Sequence, residues 1–481
     1  MNFRAICRNL GGLAFILTFA MSLCGLYGLF CTTSRSSFFD YSLQISTLIS
    51  GLAAAILFFV GRKESQEILR KEAIATVGLG WLLATLLGAL PYCFSSPSLT
   101  FAQALFESAS GFTTTGSSAM ENIETFPKEV LLWRATTQWL GGIGILVLFV
   151  ALLSSARQSS KSLFQHESTI QLSQGIYSRI REMALRLWQI YSGLSAICIL
   201  GLLLLGTSLY DAATFTFAAI STGGFAPYNA SVAWFANPAI EIWLTIFMFA
   251  GGANFLLFTW LLHGRPTRIF KDEEFRLYLL LSLVATIIVF LSLLAKNNNN
   301  SLLKNLRDAL FQCVSIMTTT GFSTADYNTW PPAAQAVLLA LMFVGGCVGS
   351  TAGSVKVRRW LILGKALGRQ VIHSFRPQQV LRVRLDGSIL DEKSIADAII
   401  YIAISLFLLL TSTVAIGIFD PNLNLAEAAS ACLTTFANVG PGFGSIGPTG
   451  NFANLSPPSL LLLAALMLLG RLELFALLAL F

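Results

Sequence analysis

The sequence Thr113-Thr114-Thr115-Gly116 has three counterparts further along this chain of 481 residues. They are Ile220-Ser221-Thr222-Gly223, Thr318-Thr319-Thr320-Gly321 and Ala437-Asn438-Val439-Gly440. The glycines that end these four motifs are 107, 98 and 119 residues apart. Self-similarity at a nearly constant interval indicates repeated structural units. Four units of one design in a single chain would close into a pseudo-fourfold ring around an axis.

The composition excludes a water-soluble globule. Hydrophobic residues make up 55% of the chain and charged residues only 11%, and the mean hydropathy is +0.70. A soluble protein carries about 25% charged residues. Disordered, collagen-like and disulfide-rich proteins are excluded as well, because the chain is not polar, not periodic in glycine and not dense in cysteine. The sequence therefore predicts a polytopic membrane protein.

Apolar segments long enough to span a bilayer recur along the chain. A spanning helix needs about 20 mostly apolar residues. Ten segments of this kind begin near Gly11, Leu43, Ala73, Val130, Leu187, Ile240, Leu277, Ala333, Ile395 and Pro458. The predicted fold class is therefore an all-α polytopic membrane protein with about ten spans.

Four further apolar stretches are too short to cross: 102–114, 211–221, 305–319 and 425–438. Each is followed at once by a glycine-containing polar segment. Irregular backbone at membrane depth is tolerated only where protein buries it or where it lines water. We therefore predict four re-entrant loops, each a short pore helix followed by a glycine segment.

The repeats divide the chain into an N-terminal helix pair and four units of span, pore helix, glycine segment and span. The predicted divisions are 1–71 for the helix pair, then 72–154 with Gly116, 155–262 with Gly223, 263–365 with Gly321, and 366–481 with Gly440. A second glycine signal follows in the next span of each unit: Gly141-Gly142, Gly251-Gly252, Gly345-Gly346 and the single Gly470.

Basic residues are distributed unequally between alternate loops. If the N-terminus is cytoplasmic, the inner segments hold 24 Lys and Arg and the outer segments hold six. Cytoplasmic loops carry the excess of these residues, so the N-terminus is predicted to be cytoplasmic. Eleven acidic residues fall on the outer segments, which gives that face a net charge of −5. This charge would concentrate cations at the outer mouth, although it could also reflect only the positive-inside rule.

A ring of such loops has the chemistry of a cation filter. Backbone carbonyls aimed at an axis can replace the hydration shell of a cation, and glycine accepts the φ values that turn successive carbonyls inward. A pore helix that points its C-terminal end at the centre adds negative partial charge. The alternative is that these are ordinary loop glycines between packed helices.

Several segments together resemble the Trk/Ktr/HKT superfamily of potassium-translocating subunits. They are Trp133-Arg134, Gln138 to Gly144, Ser221 to Phe225, Gly345 to Gly353, Ala437 to Gly442, and Leu469 to Glu473. The resemblance runs from about residue 70 to the end of the chain. The extra helix pair before it is similar to the bacterial TrkH/TrkG branch, because the shorter Ktr type lacks that pair.

The resemblance implies a single-chain, pseudo-tetrameric K⁺ pore in the inner membrane of a bacterium. The chain would form a homodimer in the lipid bilayer and would be gated by a cytoplasmic, TrkA-type nucleotide-binding regulatory ring. The transported ion is K⁺; no organic cofactor and no nucleic acid is expected. The implied selectivity filter consists of Thr114, Thr115, Gly116, Ser221, Thr222, Gly223, Thr319, Thr320, Gly321, Asn438, Val439 and Gly440. Plant relatives with serine at the first filter glycine tend to pass Na⁺, so glycine in all four motifs favours K⁺.

The segment Gly345 to Gly353 should interrupt its span. Four of its nine residues are glycine: Gly345, Gly346, Gly349 and Gly353. Each costs a helix interior about 1 kcal/mol relative to alanine, so we predict a break directly below the filter. The alternative is close packing of small residues between helices. The resemblance implies a movable intramembrane loop that gates the pore.

Arg471 is the only basic residue within a predicted span. A charge at the bilayer centre costs about 2.5–3.5 kcal/mol on insertion scales, so it should face protein or water. Glu473 is a poor partner, because residues two apart lie on different sides of a helix. The resemblance implies that Arg471 projects into the pore beneath the filter as part of the gate.

Other functions fit the sequence less well. An Na⁺-permeable or Na⁺/H⁺-coupled transporter could use the same scaffold, but the spans lack the chain of Asp, Glu or His residues typical of a proton relay. An intramembrane enzyme needs paired catalytic groups at one depth, and the sequence offers none. We therefore predict that the chain is not an enzyme. The inner segment 356–393, with nine basic residues, could contact lipid headgroups or a regulator, and a hairpin turn is predicted at 385–388.

Overall fold

The chain folds almost entirely into α-helices. The computed structural model describes residues 3–31, 41–62, 70–161, 171–296, 301–379 and 381–473. The α-helices in this part of the chain are α1 (Phe3–Cys31), α2 (Ser42–Gly61), α3 (Arg70–Phe94), α4 (Phe101–Phe112), α5 (Lys128–Lys161), α6 (Gln171–Leu204), α7 (Leu209–Ile220), α8 (Pro238–Gly252), α9 (Phe255–Leu262), α10 (Glu273–Ala295), α11 (Leu302–Met317), α12 (Pro332–Phe343), α13 (Val357–Phe375), α14 (Glu392–Phe419), α15 (Leu425–Phe436) and α16 (Pro457–Arg471). Short 3₁₀ turns occupy Ile123–Thr125, Ser231–Phe235, Pro266–Lys271, Tyr327–Thr329 and Gly444–Ile446. The strands are β1 (Arg384–Leu385) and β2 (Ser388–Ile389).

The long apolar helices confirm an all-α polytopic membrane protein. Within the described residues, α1, α2, α3, α6, α10 and α14 are long and apolar enough to cross a bilayer. The pair α8 and α9 would make a seventh span, bent by 106°. A helix covers each of the ten predicted positions, although α1 and α6 begin well before Gly11 and Leu187. Helices α12 and α16 contain only 12 and 15 residues.

The four predicted re-entrant segments each form a short helix: α4, α7, α11 and α15. These helices contain 12, 12, 16 and 12 residues. A 12-residue helix is about 18 Å long, which is well short of a bilayer core of about 30 Å. Each begins at an N-cap side chain that accepts a backbone N–H hydrogen bond, which satisfies a donor otherwise free at a helix start. The N-cap residues are Thr100, Ser208, Ser301 and Asn424.

Packing between the helices closes the repeats into a ring. Each short helix packs against the long helices of its own repeat and also against the second helix of the preceding repeat. The pairs that join successive repeats are α7 with α5, α11 with α8, α15 with α12, and α4 with α16. Because the last of these pairs joins the fourth repeat to the first, the ring has no open edge. Helices α1 and α2 pair with each other, and α1 packs against α3 and α5 outside this ring.

Three of the predicted repeat boundaries fall inside helices. The divisions at 71, 154 and 365 lie within α3, α5 and α13. These helices continue across the predicted divisions. The hairpin predicted at 385–388 is present: β1 and β2 pair in antiparallel fashion, and Asp386 and Gly387 both have positive φ at the turn.

Candidate functional site

The chain leaves each short helix through the same four-residue turn. The first residue caps the helix, and the second has left-handed backbone geometry although it carries a side chain. These second residues are Thr114, Thr222, Thr319 and Asn438, with φ of 53°, 54°, 57° and 55°. The fourth residue of each turn is a glycine with positive φ, namely Gly116, Gly224, Gly321 and Gly440. A left-handed residue costs roughly 1–2 kcal/mol, and strain repeated at four equivalent positions is typical of a functional site.

The turn of the second repeat lies one residue further along the chain than the sequence motif predicts. The glycine equivalent to Gly116 is Gly224, not Gly223, because helix α7 ends at Ile220 and Thr222 takes the left-handed position. Gly223 therefore corresponds to Thr115, and Ser221 to Thr113. Because Gly223 and Gly224 are consecutive, the first of them also fits the sequence motif. Thr222-Gly223-Gly224-Phe225 aligned on Thr319-Thr320-Gly321-Phe322 would have shown the correct register.

The four turns meet at a common centre. Each turn glycine lies so close to a backbone carbonyl of the next repeat that an added Cβ atom would overlap or crowd the carbonyl oxygen. The pairs, with the glycine first, are Gly116 and Gly223, Gly224 and Thr320, Gly321 and Val439, and Gly440 and Thr115. This order returns to its starting repeat. One cavity is lined by all four glycines, so the turns surround one passage.

We call the residues before the glycines, Thr115, Gly223, Thr320 and Val439, the carbonyl ring. All four are buried. Within the described residues, the carbonyl oxygens of Thr115, Thr320 and Val439 accept no hydrogen bond from protein, whereas that of Gly223 accepts one from Gln138. Buried carbonyls are ordinarily paired. Four carbonyl oxygens at the C-terminal ends of four helices, three of them unpaired, are suited to a dehydrated cation.

The span of the third repeat breaks where the glycines predict it. Helix α12 ends at Phe343 and α13 begins at Val357. We call residues 344–356 the glycine loop. Its two ends meet in a parallel bridge between Val344 and Val355, with Gly345 N donating to Val355 O at 3.0 Å. The two ends of the loop are therefore held together, and the loop is not extended.

The glycine loop lies against residues that precede the carbonyl ring in three of the repeats. Thr351 Oγ1 donates to the carbonyl of Ile220 at 3.0 Å, and Gly353 N donates to Thr319 Oγ1 at 2.7 Å. A Cβ atom on Gly353 would also crowd the Ala437 carbonyl, at 2.5 Å. The loop thus contacts the turns of the second, third and fourth repeats.

The predicted gate glycines are close-contact positions. Added Cβ atoms would overlap Gly353 O at Gly345 and would lie 2.5 Å from Gly252 O at Gly346. Gly349 has a φ of 76°. The loop therefore fits its site only with these small residues. The glycines both break the helix, as predicted, and allow close packing, which was the alternative.

Arg471 lies beside the glycine loop. It is 3% exposed, and its Nη1 donates to the carbonyl of Thr351 at 2.6 Å. Its Nε and Nη2 have no hydrogen-bond partner in the part of the chain that the structure describes. Glu473 pairs instead with Arg359, at 2.5 Å, as its poor spacing from Arg471 predicted.

Sequence reasoning missed other buried charges near the site. Lys356 is 6% exposed, and its Nζ donates to Ala352 O in the glycine loop. It was counted with the cytoplasmic basic segment because it follows the loop directly. Glu274 Oε1 accepts from the backbone N–H of Val348 at 2.7 Å and of Arg358 at 3.2 Å. This carboxylate holds both the middle and the exit of the glycine loop.

Arg134 is one of the six basic residues counted on the outer segments, but it lies inside the helical region. It lies in α5, is 2% exposed and pairs with the buried Glu107 at 3.2 Å. Glu241 likewise is buried and pairs with Arg307. Each of these pairs removes one counted positive and one counted negative charge, so the predicted net outer charge of −5 is unchanged. The described residues contain no cluster of three or more His, Cys, Asp or Glu side chains that could hold a metal ion.

Comparison with known proteins agrees with this architecture. Residues 44–481 match the family described as TrkH, cation transport protein. The chain is similar to the Trk system potassium uptake protein TrkH of Salmonella typhimurium, with 36% identity over 100% of this chain and 99% of the relative. It is also similar to the Trk system potassium uptake protein TrkG of Escherichia coli, with 28% identity over 88% of this chain and 87% of the relative.

The same likeness holds in three dimensions. The crystal structure of the potassium transporter TrkH from Vibrio parahaemolyticus superimposes with a TM-score of 0.89 and 30% identity, covering 100% of this chain and 98% of that one. The resemblance found in the motifs extends over the whole chain, and the chain belongs to the TrkH family of cation transport proteins.

Proposed function

We propose that this protein takes up K⁺ across the membrane, with the carbonyl ring and the turn glycines as its selectivity filter. The observation that carries the proposal is the closed cycle in which each turn glycine abuts a carbonyl of the next repeat. Three of those carbonyls lack a partner among the described residues, so their lone pairs are available to a cation. The relatives named as potassium uptake proteins support K⁺ as the ion.

The glycine loop and Arg471 form the gate in this proposal. The loop lies against three of the four turns, and the guanidinium of Arg471 holds it through Thr351. A fixed positive charge and a plug of backbone beneath the filter both oppose a cation. Opening requires the loop to leave the turns, which breaks the hydrogen bonds made by Thr351 and Gly353.

The segment that follows the glycine loop carries the surface that we assign to a regulator. Helix α13 and the hairpin of β1 and β2 follow the glycine loop directly and present many basic residues of the segment 356–393. We propose that a TrkA-type nucleotide-binding ring docks there. In this arrangement the chain is a homodimer in the bacterial inner membrane, with a cytoplasmic N-terminus.

The test is ion uptake by the purified protein in liposomes loaded with K⁺. We expect uptake of ⁸⁶Rb⁺ that external K⁺ blocks and Na⁺ does not. The matched control is Gly224→Ala, because a Cβ atom there overlaps Thr320 O in the carbonyl ring. Uptake that Na⁺ blocks equally well would favour an Na⁺-permeable transporter, and no cation uptake with or without a nucleotide-loaded regulator would reject the proposal.

A further inference from the structure

The second helix of each repeat has two equivalent buried positions, and the first repeat differs from the others at both. Helices α5, α8, α12 and α16 are equivalent, and their seventh and eleventh residues are buried. The seventh residues are Arg134, Leu244, Leu338 and Leu463, and the eleventh are Gln138, Met248, Met342 and Met467. Three repeats therefore have a leucine and a methionine where the first has an arginine and a glutamine.

The amide of Gln138 spans the turn of the second repeat. Its Nε2 donates to the carbonyl of Gly223 at 2.6 Å, and its Oε1 accepts from the backbone N–H of Phe225 at 3.0 Å. Both bonds are formed by a side chain that is wholly buried. The amide thus holds the backbone on either side of Gly224.

The amide of Gln138 occupies the space that a threonine side chain fills in the turns with threonine in the carbonyl ring. The hydroxyl of Thr115 bonds that of Thr113 at 2.7 Å, and the hydroxyl of Thr320 bonds that of Thr318 at 2.8 Å. Each bond ties a ring residue to the end of its pore helix. Gly223 has no such anchor, and a Cβ atom there would overlap the amide of Gln138. The glycine and the glutamine are therefore complementary.

We propose that Gln138 is a positioning residue that sets ion specificity, because it fixes the Gly223 carbonyl in the carbonyl ring. This rests on the proposed function of the ring as a K⁺ filter. Two consecutive glycines have no side chain to limit their movement. Without the amide, this segment can move inward and close around a smaller dehydrated cation. The other three ring residues carry side chains, and these side chains resist such a movement. The second turn is then the position at which selectivity against Na⁺ is most easily lost.

The test compares Gln138→Met, which installs the residue of the other three repeats, with the double variant Gln138→Met and Gly223→Thr. Purified proteins in liposomes are assayed for uptake of ⁸⁶Rb⁺ and ²²Na⁺. We expect the ratio of Rb⁺ to Na⁺ uptake to fall at least fivefold in the single variant. The double variant should return to within twofold of the parent, because the threonine can bond Ser221 as Thr115 bonds Thr113. Gln335→Met is the matched control, since that amide donates to backbone carbonyls away from the ring.

A parental ratio in Gln138→Met would overturn the inference, and so would a double variant no more selective than the single one. If the single variant does not fold by size-exclusion chromatography, the double variant decides alone: a parental ratio supports the inference and a loss overturns it. Failure of the proposed function looks different. In that case the parent protein itself would show no preference for Rb⁺ over Na⁺, or no uptake at all.

Discussion

Nη1 of Arg471 donates a hydrogen bond of 2.6 Å to the carbonyl oxygen of Thr351, and this bond joins the end of α16 to the glycine loop. Thr351 in turn donates to the carbonyl of Ile220, the last residue of α7. A buried charge, the loop and a pore helix are thereby linked in series. Any movement of the loop away from the ring must break this chain of contacts.

Replacing Arg471 with alanine should raise K⁺ flux. At an effective dielectric constant of about 20, two unit charges about 8 Å apart interact by roughly 2 kcal/mol. A barrier lowered by that amount corresponds to a rate increase of roughly tenfold or more. The measurement is initial ⁸⁶Rb⁺ uptake in liposomes without a regulator. Arg471→Lys, which keeps the charge, should stay near the parent, and equal or lower flux in Arg471→Ala would remove Arg471 from the gate.

Removal of the Glu274 side chain should also raise basal flux, by a different route. Glu274→Ala frees the backbone N–H groups of Val348 and Arg358, both of which donate to Glu274 in part-buried hydrogen bonds. A hydrogen bond to a charged group contributes about 1.5–3 kcal/mol. The closed position of the loop is stabilised by these bonds, so the open position gains population. ⁸⁶Rb⁺ uptake and the thermal unfolding midpoint are measured together.

The control for this prediction is Glu274→Gln. Both hydrogen bonds go to the same carboxylate oxygen, Oε1, and a glutamine can supply a carbonyl oxygen in that place. Its flux should lie within about twofold of the parent, because the loss of charge removes only a helix-end interaction of about 0.3–1 kcal/mol. A Glu274→Ala protein that is less stable but has parental flux would show that Glu274 does not restrain the gate.

The sequence predicts features that are encoded locally. The short helices have capping residues at their starts and glycine motifs at their ends, so their limits and the break after Phe343 follow from nearby residues. The register of the second turn did not follow from the glycine motif alone, because Gly223 and Gly224 are consecutive and both can match it. The phenylalanine after the motif gives the correct register, and the left-handed backbone of Thr222 agrees with it. Nor could the pairing of Glu107 with Arg134, or of Glu274 with Val348, be predicted, because these contacts join segments 27 and 74 residues apart.

Removing one partner of the buried pair of Glu107 and Arg134 should lower the stability of the protein. Arg134→Leu installs the residue of the other three repeats but leaves the carboxylate of Glu107 buried without its partner. Breaking a buried ion pair in this way costs about 3–5 kcal/mol. We expect a large fall in the thermal unfolding midpoint of the detergent-solubilised protein.

The second variant combines Arg134→Leu with Glu107→Gln. The glutamine keeps an oxygen for the Ala119 N–H, which Glu107 accepts at 2.9 Å, and it removes the uncompensated charge. The double variant should recover part of the lost stability. If it unfolds at or below the temperature of Arg134→Leu, the destabilisation arises from lost packing and not from an unpaired carboxylate.

Alanine scanning of the two consecutive glycines tests the register of the second turn. Gly224 has a φ of 76°, and a Cβ atom on it would overlap Thr320 O, a backbone atom that cannot move without distorting the carbonyl ring. The three atoms nearest to a Cβ atom on Gly223 all belong to the end of the Gln138 side chain, which is flexible. Gly224→Ala should therefore abolish ⁸⁶Rb⁺ uptake, whereas Gly223→Ala should fold and conduct with altered selectivity. The opposite ranking would mean that Gly223, as the motif first indicated, is the residue equivalent to Gly116.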